Sequence, residues 1–201
     1  GKAHLEGFGG FEGVIKGKSE LYDFLRNNNR TAFVNFNDPI QVEKTNNINR
    51  ITFSDQHNAT IQVDLIKQKQ EFLAVQFQDL TIQSHLTGNY NFSNISCAIA
   101  IGTHFGIDAK TIQHGIEQYI PSNHRSQIIN KEHYKIVMDA YNANPSSMEA
   151  ALNNFAKFDG TKTIIIGDMF ELGDESEAEH QDIVELAEKL NFDHIFILGH
   201  Q

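Results

Sequence analysis

Apolar positions change their period several times along the chain, and each change predicts a different element. From Glu12, Val14, Lys18, Leu21 and Leu25 fall on one helical stripe, with Lys16, Glu20 and Asp23 off it. Glycines 7, 9, 10 and 13 make the preceding segment a flexible or tightly turning loop, and the Asn27–Arg30 cluster ends the helix. Thr31 to Phe36 reads as a strand, and Asn37-Asp38-Pro39 opens a short helix or turn. Between Ile51 and Leu86 the runs at 51–53, 60–65, 72–77 and 80–83 are short and β-like, with polar turns between them. That pattern predicts an antiparallel ribbon with one wetted face. Phe92 to Phe105 is apolar almost all round, which predicts a buried helix closed by Gly106. Asp108 caps a further helix striped by Ile112, Ile116 and Ile120 and closed by Pro121.

Tyr119 to Arg125 has no periodicity and marks a domain boundary, dividing the chain into 1–121 and 122–201. Beyond it the pattern becomes regular: strand 134–139, helix 146–157, strand 161–167, helix 176–190, strand 194–199. Alternating β and α elements predict a parallel sheet with right-handed crossovers. Ser146/Glu149 and Ser176/Glu179 have the spacing of capping boxes. Two polar loops, Asp139 to Asn144 and Gly167 to Gly173, are expected on the carboxyl edge of one sheet, where open α/β folds bind ligands. Asn-Pro and paired serines also suit an ordinary strand-to-helix turn.

Composition narrows the function classes. Twenty-six acidic against 16 basic residues give a net charge of −10, which excludes a broad nucleic-acid-binding surface but not a small anionic ligand. No run approaches the roughly 20 apolar residues of a membrane span. Cys97 is the single cysteine, so no internal disulfide forms and a reducing compartment is expected. The ten histidines include no H-x-x-x-H pair, which argues against a structural zinc site. Lys18 is a basic residue on an apolar stripe; it either snorkels outward or is held inward for chemistry.

Four stretches carry a resemblance: Gly1-Lys-Ala-His-Leu-Glu-Gly-Phe-Gly9, Gly88-Asn-Tyr-Asn-Phe-Ser-Asn94, Asp139-Ala-Tyr-Asn-Ala-Asn-Pro-Ser-Ser-Met148, and Gly167-Asp-Met-Phe-Glu-Leu-Gly173 with Glu175-Ser-Glu-Ala-Glu-His180. In this order the chain resembles the Mur ligases of peptidoglycan synthesis, nearest the branch that joins D-alanyl-D-alanine to a UDP-N-acetylmuramoyl-tripeptide. The resemblance implies an α/β protein. Its first part is the later portion of a central ATPase domain with an antiparallel ribbon, and its second the beginning of a Rossmann-like C-terminal domain. The family's G-x-x-G-K-[ST] phosphate loop is not in this sequence, so the expectation is an internal fragment, inactive alone, of a monomeric cytoplasmic enzyme.

The resemblance also implies ATP and Mg²⁺. It makes His4 a metal ligand, and Lys18, if carbamylated, an anionic metal ligand and catalytic group; Lys16 beside it has a different helical phase. Asn94 would face the nucleotide base, Arg125 would reach the ATP phosphates, and Asp139 would hold the ribose. Tyr141, Asn142 and Asn144 line the same loop, although Asn144 also suits a helix cap. Asp168, Glu171 and His180 would lie near the incoming amine. The family carries Gly-Arg where this chain has His124-Arg125. Two other readings stay open: a non-catalytic fragment, and a generic Rossmann-like nucleotide-binding module beside a β-rich one.

Overall fold

The computed structural model describes residues 3–67 and 71–200, so Gly1 and Lys2 of the first motif lie outside the described residues. The chain divides into two compact units: Gly1–Gly17 with Ser122–Gln201, and Lys18–Pro121. A one-turn helix α1 (Leu5–Phe8) precedes the long helix α2 (Phe11–Asn27), which runs across the division. Gly13 has no room for a side chain, because a Cβ there would lie 1.7 Å from the Phe8 carbonyl oxygen. That approach folds α1 back against the start of α2.

In the unit 18–121, β1 (Thr31–Asn35), α3 (Pro39–Lys44) and β2 (Asn49–Ser54) form a parallel βαβ turn, and β3 (Ile61–Gln62) adds to β2 in parallel. The expected ribbon is therefore smaller. Among the described residues of this unit only β4 (Asp64–Leu65), β5 (Ala74–Phe77) and β6 (Leu80–Gln83) are antiparallel. The Ile51 segment misled because Thr52, Phe53 and Ser54 look alternating yet are all buried. Thr52 is satisfied inside: its Oγ1 accepts from the Thr60 N–H at 2.8 Å. A strand buried on both faces belongs to a covered parallel sheet.

Helices α4 (Phe92–His104) and α5 (Ala109–Gln118) pack with the ribbon around Val75, Ile82, Ile95, Ile99 and Ile112. Ala32, Val34 and Ile48 form a second cluster with Tyr22 and Leu25 of α2. Two stripe readings need correction. α4 buries Ile95, Ser96, Ile99, Ala100 and Gly102 but leaves Ile101 exposed. In α2 the inner positions are Val14, Tyr22 and Leu25, whereas Leu21 and Lys18 are exposed. The Cys97 thiol is half-buried, and burial pushes its pKa up, which lowers its reactivity.

In the unit containing 122–201, β7 (Gln127–Asn130) and β8 (Lys135–Met138) form an antiparallel hairpin, and β9 (Thr163–Gly167) pairs in parallel with β10 (His194–Leu198). Helix α6 (Pro145–Phe155) follows β8, and α7 (Ser176–Lys189) connects β9 to β10. The hydrogen-bonded partner of β8 is β7, a strand the periodicity did not reveal. The expected single sheet edge is thus two separate strand pairs, and the two polar loops do not leave one sheet. Leu5 and Val14 join Leu152, Ile164, Ile166, Met169, Leu172 and Ile183 in this unit's core.

Both expected capping boxes shift. The N-cap of α6 is Asn144, reciprocally bonded with Ser147, because Pro145 suits the first helical position. α7 starts at Ser176 after a short 3₁₀ turn, and Glu175 provides no side-chain cap.

Two exposed carboxylates hold local backbone. Asp108 caps α5, where bonding from the Thr111 hydroxyl at 2.6 Å and from backbone N–H groups pulls its pKa down. Asp193 accepts from the Lys162 N–H at 2.7 Å at the start of β9, which lowers its pKa as well. A depressed carboxylate pKa contributes stability above the unfolded value of about 3.9, lost as pH falls through the folded value. Acid titration followed by circular dichroism should therefore show Asp108→Asn and Asp193→Asn variants losing less stability than the parent between about pH 5 and pH 2. Parallel acid curves for parent and variants would refute the assignment.

Candidate functional site

The amino end of β7 and the carboxyl end of β8 make one corner. The register pairs Gln127 with Met138, which brings residues 124–126 alongside 139–141. The Ala140 N–H donates to the His124 carbonyl at 2.8 Å, and the Ser126 N–H reaches Asp139 Oδ1 at 3.4 Å. His124 and Ser126 both have left-handed backbones, at φ 59° and 49°. Side chains adopt that region at a cost that glycine does not bear, though histidine tolerates it better than most. A glycine in the resembling motif and His124 here thus suit the same backbone. Between the two bends Arg125 is displayed outward, its guanidinium 3.8 Å from the centroid of the Tyr141 ring. Such a contact is worth about 0.5–1 kcal/mol at an exposed site.

The loop after β8 carries the other expected residues. Asn142 is exposed. Asn144 Oδ1 accepts from the Ser147 N–H at 3.0 Å, so its amide is engaged in starting α6. Asn144→Ala is expected to destabilise this unit by about 1 kcal/mol, read as a fall in the chemical-denaturation midpoint. An unchanged midpoint would mean the cap is dispensable.

The loop after β9 is tied on three sides. Asp168 Oδ2 accepts from the His200 N–H at 2.9 Å, and a Cβ on Gly199 would lie 1.9 Å from Asp168 Oδ1. Glycine at 199 is what lets the carboxylate reach across the ends of β9 and β10. His180 Nε2 accepts from the Met169 N–H at 2.9 Å, and its Nδ1 donates to the Ser176 carbonyl at 2.7 Å. Those partners select the Nδ1–H tautomer and occupy both ring nitrogens.

Glu171, left-handed at φ 63°, accepts through its carbonyl from the Glu6 N–H at 3.1 Å, and its carboxylate pairs with His4 Nδ1. Leu5 between them is 3% exposed and packs in the cluster of Met169 and Leu172. His4 and Glu171 are therefore neighbours, although 167 residues separate them.

Asn94 and Lys18 belong to the other unit. Asn94 is exposed and donates through Nδ2 to Asn91 Oδ1 at 2.9 Å; Asn91 in turn donates to the Thr87 carbonyl at 2.8 Å. Lys18 is exposed on α2, so the inward-held reading is corrected: Val14 and Leu25 of the expected stripe turn inward together with Tyr22, and Lys18 does not. Among the described residues no group of three or more His, Cys, Asp or Glu side chains is arranged to hold a metal ion. Among them also, no helix is long and apolar enough to cross a membrane.

Sequence reasoning missed the parts of this arrangement that act through backbone. The left-handed bends at His124 and Ser126 and the buried anchor Leu5 had no periodic signal. Gly199 had a usable one, a glycine directly after an apolar strand.

Residues 1–102 match the Mur ligase middle domain, and residues 124–201 match the family model described as Mur ligase, glutamate ligase domain. Among curated proteins, UDP-N-acetylmuramoyl-tripeptide–D-alanyl-D-alanine ligase of Escherichia coli is 29% identical across 99% of this chain and 46% of its own length. The ligase of the same name from Bacillus subtilis is 26% identical, over 99% and 44% respectively. The chain thus spans about half the length of the curated relatives it matches. MurF from Acinetobacter baumannii superimposes with a TM-score of 0.84 at 29% identity, covering all of this chain and 45% of that one. MurF from Thermotoga maritima, solved with ADP, has the same fold at a TM-score of 0.79 and 21% identity, over all of this chain and 51% of that one. With these matches running through both compact units, the chain belongs to the Mur ligase family.

Proposed function

We propose that this chain is part of a cytoplasmic ATP-dependent ligase, acting as a monomer, that joins D-alanyl-D-alanine to a UDP-N-acetylmuramoyl-tripeptide. The observation that carries the reading is similarity along the whole chain to ligases of that name in Escherichia coli and Bacillus subtilis. In the proposed reaction a carboxylate oxygen of the tripeptide attacks the γ-phosphorus of ATP, and the bond to ADP breaks. The amine of D-alanyl-D-alanine then attacks the acyl carbon, phosphate leaves, and the surplus proton of the new amide nitrogen is given up.

The first step brings two anions together and the second gathers negative charge on the acyl oxygen and the leaving phosphate, so the protein's task is to supply donors where that charge gathers. Arg125 offers a planar, permanently charged fork suited to phosphate oxygens. Asp139 offers carboxylate oxygens to ribose hydroxyls, and Asn94 offers an amide to the base. Asn142, with Tyr141 and Asn144 beside it, lines the Asp139 loop. Glu171 and Asp168 hold the loop expected near the amine, and His180, with both ring nitrogens engaged, acts there by shaping it.

Magnesium belongs to this proposal in a restricted way. His4 is one nitrogen donor already paired with Glu171, and Lys18 would contribute only as a carbamate. Mg²⁺ takes an octahedral shell of mainly oxygen donors, so the described residues do not make a site for it by themselves. No step here is therefore routed through the ion.

Phosphate release tests the reading. The complete polypeptide carrying this sequence should release phosphate from ATP only when UDP-N-acetylmuramoyl-tripeptide and D-alanyl-D-alanine are both present, and residues 1–201 alone should release none. Release that requires a different amine would overturn the substrate assignment. Turnover by residues 1–201 alone would overturn the view that catalysis needs more than this chain.

A further inference from the structure

Arg125 is held in an unusual way for a cation in an acidic chain. The chain carries 26 acidic residues against 16 basic, yet this guanidinium rests over the face of an aromatic ring. The backbone on both sides is pinned: His124 accepts from Ala140, and Ser126 donates to Asp139. These two bonds align residues 124–126 with 139–141, so Tyr141 lies under Arg125 through the hairpin register rather than through a flexible loop.

The choice of partner has a chemical consequence. A carboxylate in the same place would occupy the N–H fork and neutralise its charge. A ring beneath the guanidinium plane restrains its orientation while leaving the in-plane donors and the charge available. A stacked arginine of this kind is a ready receptor for a group with several anionic oxygens.

We propose that Tyr141 is a positioning residue, a shelf that holds Arg125 oriented to receive the phosphate chain of the nucleotide. Its role is to act through Arg125, not to touch the nucleotide with its hydroxyl. The proposal rests on the ATP-dependent reading above.

The test uses the complete enzyme with Tyr141→Leu and Tyr141→Phe. In nucleotide-free protein, ring current should move the Arg125 guanidinium proton signals upfield in the parent and in Tyr141→Phe, and Tyr141→Leu should abolish the shift. Tyr141→Leu should raise KM for ATP by about 2- to 5-fold, the size of a lost exposed cation–π contact. KM for D-alanyl-D-alanine should stay at the parent value, and Tyr141→Phe should restore most of the ATP effect. A parental KM for ATP in Tyr141→Leu would overturn the proposal. So would a Tyr141→Phe defect as large as that of Tyr141→Leu, because the hydroxyl would then be the working group. A parent that shows the upfield shift but has no ATP-dependent turnover would overturn the ligase reading and the phosphate role together. Normal parental turnover with no upfield shift would overturn the shelf alone.

Discussion

On the ligase reading proposed above, replacing Arg125 with alanine in the complete protein is expected to lower kcat by about 10²- to 10³-fold, the range seen when one preorganised donor to developing charge is removed. The physical basis is that a carboxylate approaching a triphosphate must overcome mutual repulsion, and a fixed guanidinium offsets it without having to reorganise. Arg125 is already displayed between two pinned left-handed residues, so little conformational freedom is lost when it engages an anion. Arg125→Lys keeps the charge but loses the planar fork and its stacking on Tyr141, so it should recover only part of the rate. Rapid-quench measurement of ADP formation in a single turnover would isolate this step. A rate for Arg125→Ala within about threefold of the parent, a difference of only some 0.65 kcal/mol in barrier, would show that Arg125 does not serve the phosphates.

The second large effect is on stability. Leu5→Ala should destabilise the docking of the first residues by about 2–5 kcal/mol, the usual range for truncating a buried leucine. Leu5 is 3% exposed and packs in the cluster of Met169 and Leu172. Beside it are a pair between exposed side chains, His4 and Glu171, and a backbone bond from Glu6 to Glu171. Even a fully charged exposed pair contributes at most about 1 kcal/mol, so the apolar contact is the larger holding force. Hydrogen exchange at the Glu6 amide reports directly on this docking. The amide should lose most of its protection in Leu5→Ala and keep more of it in Glu171→Gln. Equal protection in Leu5→Ala and the parent would show that the segment is held by something other than Leu5.

Much of the architecture was legible in the residue pattern because long helices and apolar strands have distinct periods. α2, α4, α5, α6 and α7 appear within one or two residues of where the stripes place them, apart from the far end of α5, where Ile120 lies beyond the helix. Errors fell where two environments produce the same local pattern. Thr52-Phe53-Ser54 resembles an alternating strand, but partners on both sides bury all three. Ser146 and Ser176 have cap spacing, yet Pro145 and the 3₁₀ turn before α7 move the helix starts. Lys18 sits on an apolar stripe by phase, but the flanking Leu21 is itself exposed.

The candidate site divides in the same way. Which residue types were available, and that a polar loop followed each apolar run, could be read from the chain, because short-range order depends on neighbours a few positions apart. The pairing of Gln127 with Met138, which sets Arg125 over Tyr141, could not, because strand register is decided by a partner strand whose existence the periodicity did not reveal. Nor could the meeting of His4 with Glu171, which depends on burying Leu5 in a cluster with Met169 and Leu172, far away in the chain. Local pattern determined the elements and the chemical inventory of this protein. Tertiary structure alone decided which of those groups meet, because long-range contacts are selected by the burial of apolar surface, and that selection leaves no local signature.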